Sequence, residues 1–102
     1  MADEKPWFHA SPIPLDRVVF LERCLQKNQN LDSRTLTKIK TAFARKPTHE
    51  HERPVQLGRR WSEGVYVEGT RFQLNCQEKD GLVVIRSMSY DKRAFRRPKK
   101  GG

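Results

Sequence analysis

The residues of this chain best suited to chemistry are arginines and a tyrosine in its second half. Arg71 and Arg86 occupy polar positions of two segments with alternating polarity, and Tyr90 and Arg93 closely follow the second segment. A guanidinium group matches the oxygen atoms of a phosphate, and a tyrosine can stack on a base or act in acid–base chemistry. This combination indicates a site for a phosphate-rich ligand.

Metal-dependent chemistry finds less support. The side chains that could ligate a metal ion are His9, Cys24, His49, His51 and Cys76. None of them forms a Cys-x-x-Cys or His-x-x-x-His spacing, and there is no Gly-rich phosphate loop or Gly-x-Ser-x-Gly motif. We therefore expect no metal and no other cofactor. The two loop histidines, His49 and His51, could serve as acid or base if their loop folds over the sheet, although a solvated role is commoner.

The distribution of charge points to the same half of the chain. Lys and Arg number 21 against 12 Asp and Glu, and the balance is +6 from residue 57 onward against +3 before it. Such a field attracts phosphates, which favours RNA or a ribosome as partner, although it could also serve solubility alone. The residues expected to bind nucleic acid are Arg59, Arg60, Arg86, Lys92, Arg96 and Arg97.

The first half of the chain predicts an arm followed by two helices. Three prolines within residues 1–14 exclude a regular helix and favour an extended arm. Apolar residues at helical spacing predict one helix over 15–28. A second helix can be capped by Asp32 or Ser33 and ends at Pro47.

The second half changes to a period of two residues, which predicts strands. Alternation begins at Trp61, and Gly69 with Thr70 marks a turn before the next strand. The pair Asp80-Gly81 is a hairpin signal, because a tight turn between strands requires positive φ. The continuous apolar start of the segment 82–88 predicts a central strand.

Together these elements predict an α+β fold for residues 15–95. Two N-terminal helices would pack on a small antiparallel sheet of three to four strands, with a flexible basic tail over 96–102. The expected core is Leu36, Ile39, Phe43, Phe72, Leu74, Cys76, Val83 and Ile85. Both cysteines fall on core faces and are expected to be free thiols. No secretory segment or long apolar stretch is present, so we expect a cytoplasmic protein without a membrane partner.

Several short motifs of the second half occur in an order that resembles the RelE/HigB-type toxin superfamily. In sequence they are Leu57-Gly58, Trp61, Gly69-Thr70-Arg71, Asp80-Gly81, Val83-Val84-Ile85 and Lys92-Arg93. The resemblance covers roughly 40 of the 102 residues, in the region from Val55 to Phe95, and does not extend to the amino end. Such toxins usually begin with a short strand where this chain has its Pro-rich arm.

The resemblance implies a ribonuclease that works without a metal ion, on the ribosome or on free RNA. Arg71 would stabilise the charge of the transition state, Tyr90 would stack or exchange a proton, and Arg93 with Lys92 would form the closing basic pair. It also implies a small acidic antitoxin protein as a second partner.

Two alternatives stay open. The same arginines could grip phosphates in a nucleic-acid-binding module without catalysis, or the charge could complement an acidic protein in a phage- or plasmid-borne interaction module. Individual residues could also have purely structural roles. Arg71 could belong to the solvated face of a strand, and Tyr90 could close the core at the sheet edge.

Overall fold

A computed structural model describes residues 5–95 of the chain, as a sheet with one long helix packed on one of its faces. The elements in chain order are β1 (Val18–Phe20), α1 (Glu22–Lys27), α2 (Ser33–Ala44), β2 (Arg60–Val67), β3 (Thr70–Lys79) and β4 (Leu82–Ser89). Short 3₁₀ turns cover Trp7–His9, Leu15–Arg17, Thr48–Glu50 and Lys92–Phe95. The strands are ordered β1-β4-β3-β2.

The strands β2, β3 and β4 form an antiparallel meander whose tight turns follow from local sequence. Glu68 and Gly69 join the first two strands, and Asp80 and Gly81 join the last two. All four residues have positive φ, between 53° and 80°. Positive φ at both central positions matches the right-handed twist of the flanking strands, which is why such loops contain glycine. The predicted strands and hairpin are confirmed.

The predicted pair of helices on an antiparallel sheet is wrong. Residues 15–28 form a 3₁₀ turn, the strand β1 and the six-residue helix α1, so α2 is the one long helix of the described chain. β1 lies parallel to β4, with Val18 opposite Val83, which makes the sheet mixed. Adjacent β-branched and aromatic residues favour a strand over a helix, and β4 needs a second neighbour to pair its buried backbone.

The core lies between the inner face of the sheet and α2. Seven of the eight expected core residues are buried, and Leu36 is half-buried against them. The arm is tied down at Phe8 and Ile13, both buried, and the N–H of Ile13 donates to the carbonyl oxygen of Ala44 at 2.9 Å. The arm is not extended throughout, because a 3₁₀ turn interrupts it. Both cysteines are buried and free, as expected.

The opposite face of the sheet stays open. Outward positions of β2 and β3 are exposed or half-buried along the whole length of both strands. The inward positions are buried from Glu63 to Val67 in β2 and from Phe72 to Cys76 in β3. Over residues 5–95, none of the helices has the length and apolar character needed to cross a membrane. The predicted tail, residues 96–102, lies outside the described residues.

Candidate nucleic-acid interface

The outward side chains of β2, β3 and β4, here called the open face, are mostly polar or basic, with Tyr66 and the half-buried Leu82 and Val84 among them. No aspartate or glutamate stands at an outward position of these three strands. Amides and hydroxyls bond to one another across strands: Asn75 Nδ2 donates to Ser87 Oγ at 2.7 Å, and Gln73 Nε2 donates to Ser62 Oγ at 2.5 Å. The open face therefore offers donors and acceptors on a surface without negative charge.

A groove crosses one end of this face. Its first part, a cavity of about 250 Å³ between α1 and β4, is lined by four basic residues, namely Arg23, Lys27, Arg86 and Lys92. Its second part, about 440 Å³, lies over β2 and β3 and is lined by Arg60, Ser62 and Asn75 among others. Arg86 and Ser87 line both parts, so the two parts adjoin at β4. We call both parts together the basic groove, after its five basic residues.

The sheet topology creates the space for this groove. β1 ends at Phe20, and the N–H of Leu21 makes a last bond to the carbonyl oxygen of Ile85 at 2.9 Å. Beyond Ile85, β4 has no strand on that side, and α1 lies against it instead. Arg23 and Lys27 are four residues apart on α1, so both side chains lie on one helix face.

A β-bulge positions Arg86 at the centre of the groove. Cys76 is opposite Ile85 while Asn75 is opposite Ser87, so Arg86 is an extra residue in β4 without a partner on β3. A bulge of this kind bends the strand and re-aims the side chain it carries. The guanidinium of Arg86 donates to Gln77 Oε1 at 3.1 Å, which holds it over the open face.

The charges of the groove are uncompensated. None of its five basic side chains forms an ion pair with an acidic residue of the described chain, and no described acid lines either part. Other basic residues are paired, among them Lys38 with Glu68 and Arg93 with Asp91. An anion entering the groove would therefore meet free cations, without first displacing an internal carboxylate.

The three residues given catalytic roles are not brought together. The guanidinium of Arg71 lies on the open face and donates to Gln73 at 2.9 Å. The ring of Tyr90 packs against the inward-facing Phe72, with centroids 4.7 Å apart, and its hydroxyl donates to Asn28 Oδ1 at 2.9 Å. Arg71 and Tyr90 thus lie on opposite faces of the sheet, and one phosphate could not contact both.

The predicted binding residues divide into three groups. Arg60, Arg86 and Lys92 line the basic groove. Arg59 is exposed and donates to Gln56, and the exposed Arg93, the third residue given a catalytic role, donates to Asp91 at 3.2 Å. Arg96 and Arg97 lie outside the described residues.

A buried ion pair is the polar feature that the sequence reasoning missed. Arg53, 5% exposed, donates from Nε and Nη2 to the two carboxylate oxygens of Glu63 at 2.8 and 3.0 Å. Trp61 Nε1 donates to the same carboxylate at 2.8 Å. The signal was present in the alternation, because Glu63 stands at an inward position between apolar residues, and a buried carboxylate requires a cation. The pair lies inside the molecule and is structural.

The two histidines nearest that pair are not part of the groove. His9 Nε2 donates to the carbonyl oxygen of Pro54 at 2.9 Å, and its ring lies 5.3 Å from that of His51. Burial lowers the pKa of His51, and the neighbouring Arg53 lowers it further. Neither ring stands with two further ligands, since no group of three or more histidines, cysteines or acids suited to a metal occurs among the described residues.

The arrangement can therefore bind an anionic chain. Its cations suit phosphates, and its amides and hydroxyls suit the groups next to the phosphates. No histidine or carboxylate of the described chain lines the groove, so the groove offers no residue of the usual kind for proton abstraction at neutral pH. Comparisons of the chain with family models, with curated proteins and with solved structures gave no match.

Proposed function

We propose that this protein binds single-stranded RNA, with the phosphates held in the basic groove and the sugars and bases directed over the open face. The observation that carries the proposal is a groove with five basic side chains that form no ion pair within residues 5–95 and that no acid of those residues lines. Phosphate contacts of this kind supply most of the affinity in non-specific nucleic-acid binding. A cytoplasmic location is part of the proposal.

The shape and polarity of the open face favour single-stranded RNA over a duplex. A side chain on a sheet cannot reach base edges in the deep, narrow major groove of an RNA helix, whereas the bases of a single strand are accessible. Ser62, Asn75 and Ser87 also place hydroxyl and amide groups on the groove floor. Such groups can donate to and accept from a ribose 2′-hydroxyl, the group that distinguishes RNA from DNA.

The geometry favours binding over cleavage. Metal-independent cleavage needs a base, an acid and positive charge arranged around one phosphate. The groove contributes positive charge, but Arg71 and Tyr90 lie on opposite faces of the sheet, and Arg93 contacts Asp91. The experiment below therefore measures cleavage as well as binding, because a ribonuclease of the RelE/HigB type would cleave the RNA that it binds. RNA within a ribosome could meet the groove as free RNA does.

The test is fluorescence anisotropy with a labelled unstructured RNA oligonucleotide over a range of salt concentrations. If all five groove residues contact phosphates, the logarithm of the association constant falls with the logarithm of salt concentration with a slope of about −3.5, since each contact contributes roughly −0.7. Arg86→Ala and Lys92→Ala should each weaken binding and make the slope less negative by about 0.7. Arg34→Ala is the matched control, because Arg34 is exposed on α2, which packs on the other face.

Three results would contradict the proposal. The first is affinity that does not depend on salt, and the second is an equal effect of Arg34→Ala and Arg86→Ala. The third is cleavage of the RNA by the wild-type protein, seen on a denaturing gel, which would establish a ribonuclease. Duplex RNA and single-stranded DNA of the same sequence complete the series, and each should bind more weakly than the single-stranded RNA.

A further inference from the structure

The open face carries a second feature, on the part of β3 that is farther from the basic groove. The guanidinium group of Arg71 lies flat against the backbone of Gly64 on the neighbouring strand. A Cβ atom at Gly64 would lie 2.7 Å from Nη2, 2.8 Å from Nε and 2.9 Å from Cζ of Arg71, so only glycine leaves room for this contact. Gly64 is inside β2 and does not have positive φ, so no turn requires a glycine there. A glycine inside a strand often marks such a close approach.

Hydrogen bonds hold the guanidinium in this orientation. Arg71 Nη2 donates to Gln73 Oε1 at 2.9 Å, and the Gln73 amide donates in turn to Ser62, which also lines the basic groove. One side of the guanidinium plane covers Gly64, and Arg71 as a whole remains exposed. Its cross-strand partner in the β2–β3 register is Tyr66, which is 66% exposed.

We propose that Arg71 and Tyr66 form a stacking platform for one base of the RNA strand. This inference rests on the proposed function and adds a base subsite to its phosphate groove. Guanidinium planes and tyrosine rings are the surfaces on which unpaired bases stack. The hydrogen bond to Gln73 and the contact with Gly64 already restrict the guanidinium plane of Arg71, so this side chain loses little freedom when a base arrives.

The position of the platform fits an RNA strand that leaves the basic groove and runs over β3. Arg86 is level with Asn75 and Cys76, four or five residues from Arg71, which corresponds to about 15 Å along the strand. The polar chain from Gln73 to Ser62 connects the platform to the groove. The structure thus gives Arg71 a role in holding a base rather than in stabilising a transition state.

Gly64→Ala tests the platform without changing any charge. The added methyl group must displace the end of a flexible side chain and not the backbone, so the variant should fold, which circular dichroism can verify. The probe is an RNA oligonucleotide with a single 2-aminopurine, whose fluorescence is quenched on stacking. We expect Gly64→Ala and Tyr66→Ala to lose the quenching and to bind about 5- to 10-fold more weakly, with an unchanged salt slope.

Arg71→Lys keeps the charge and removes the plane, so it should behave as Gly64→Ala does. Arg34→Lys is its matched control, since Arg34 is exposed on α2, which packs on the other face of the sheet, and it should leave affinity and quenching unchanged. An oligonucleotide with abasic sites separates the two proposals. The wild-type protein should bind the abasic oligonucleotide about as weakly as the platform variants bind normal RNA. The platform variants should bind the abasic oligonucleotide no more weakly than they bind normal RNA.

The failures of the two proposals differ in this experiment. If wild-type protein binds abasic and normal RNA equally well with the expected salt slope, the platform is wrong and the groove stands. If Arg71→Lys binds RNA as wild type does and retains the quenching, the platform is also wrong. If wild type binds neither oligonucleotide at low salt, the proposed function fails and the platform fails with it.

Discussion

Removal of Arg53 should destabilise this protein more than any surface substitution. Its guanidinium makes two bonds to Glu63, and it also donates to the carbonyl oxygens of Phe8 at 2.6 Å and Phe43 at 3.1 Å. It stacks on the ring of Phe43 at 4.5 Å. One side chain thus connects the N-terminal arm, the end of α2 and β2, and Arg53→Ala leaves buried acceptors in all three without this donor.

The loss of unfolding free energy in Arg53→Ala depends on the buried carboxylate of Glu63, which remains in the variant. Breaking a buried ion pair by removing one partner costs about 3–5 kcal/mol, because the other charge remains buried. Two neighbours still reach Glu63, namely Trp61 Nε1 at 2.8 Å and Lys46 Nζ at 4.0 Å, which places the cost toward the lower end. Even about 3 kcal/mol is a large share of the roughly 5–15 kcal/mol that stabilises a small domain. The melting temperature should fall by at least about 12 °C.

The measurement is urea unfolding followed by tryptophan fluorescence, in a double-mutant cycle of Arg53→Ala and Glu63→Gln. We expect an interaction free energy of at least about 1.5 kcal/mol, since contacting residues of a buried network are coupled. The exposed pair Lys38 and Glu68 provides the control cycle, with an expected coupling of less than about 1 kcal/mol. If the two cycles give equal couplings, or if Arg53→Ala unfolds as wild type does, the account of the buried pair is wrong.

Two further predictions concern the polar groups around the core. Tyr90→Phe should lower the free energy of unfolding by about 1–3 kcal/mol in the same urea assay, because buried Asn28 loses a donor, and it should leave RNA affinity unchanged. Because burial and Arg53 lower the pKa of His51 in the folded protein, the unfolded chain takes up a proton first as pH falls. Stability should therefore decline below about pH 6.5, and His51→Gln should flatten this decline. Equal pH profiles for the two proteins would refute this second prediction.

The antiparallel part of the fold was predictable because its determinants are local. Alternating polarity and a two-residue turn specify a hairpin within about twenty residues of sequence. β1 has no such signal, since it is three residues long and pairs with Val83–Ile85, more than sixty residues further along the chain. Its apolar residues also fit a helical spacing over 15–28, and a short apolar run does not distinguish strand from helix. The parallel pairing with β4 makes this segment a strand, and that pairing is a contact between residues far apart in sequence.

The candidate site was only partly predictable for the same reason. Arg60, Arg86 and Lys92 were expected from the excess of charge after residue 57, whereas Arg23 and Lys27 belong to the first half of the chain. Those two residues join the groove because β1 stops early and leaves α1 beside β4. The bulge at Arg86 has no sequence signal either, because it depends on the register with β3. Charge composition could suggest the class of the proposed partner, but not which residues line the groove.

The buried pair and the groove also show why net charge alone is a poor guide to the interface. Arg53 contributes to the formal charge of +9, yet its charge is matched inside the core by Glu63. The charge of Arg93 is matched at the surface by Asp91. A mechanism that depended only on net charge would make Arg34→Ala as harmful to RNA binding as Arg86→Ala, because both remove one positive charge. The proposed binding in the groove requires a difference between these two variants, since Arg86 lines the groove and no described carboxylate there competes for it.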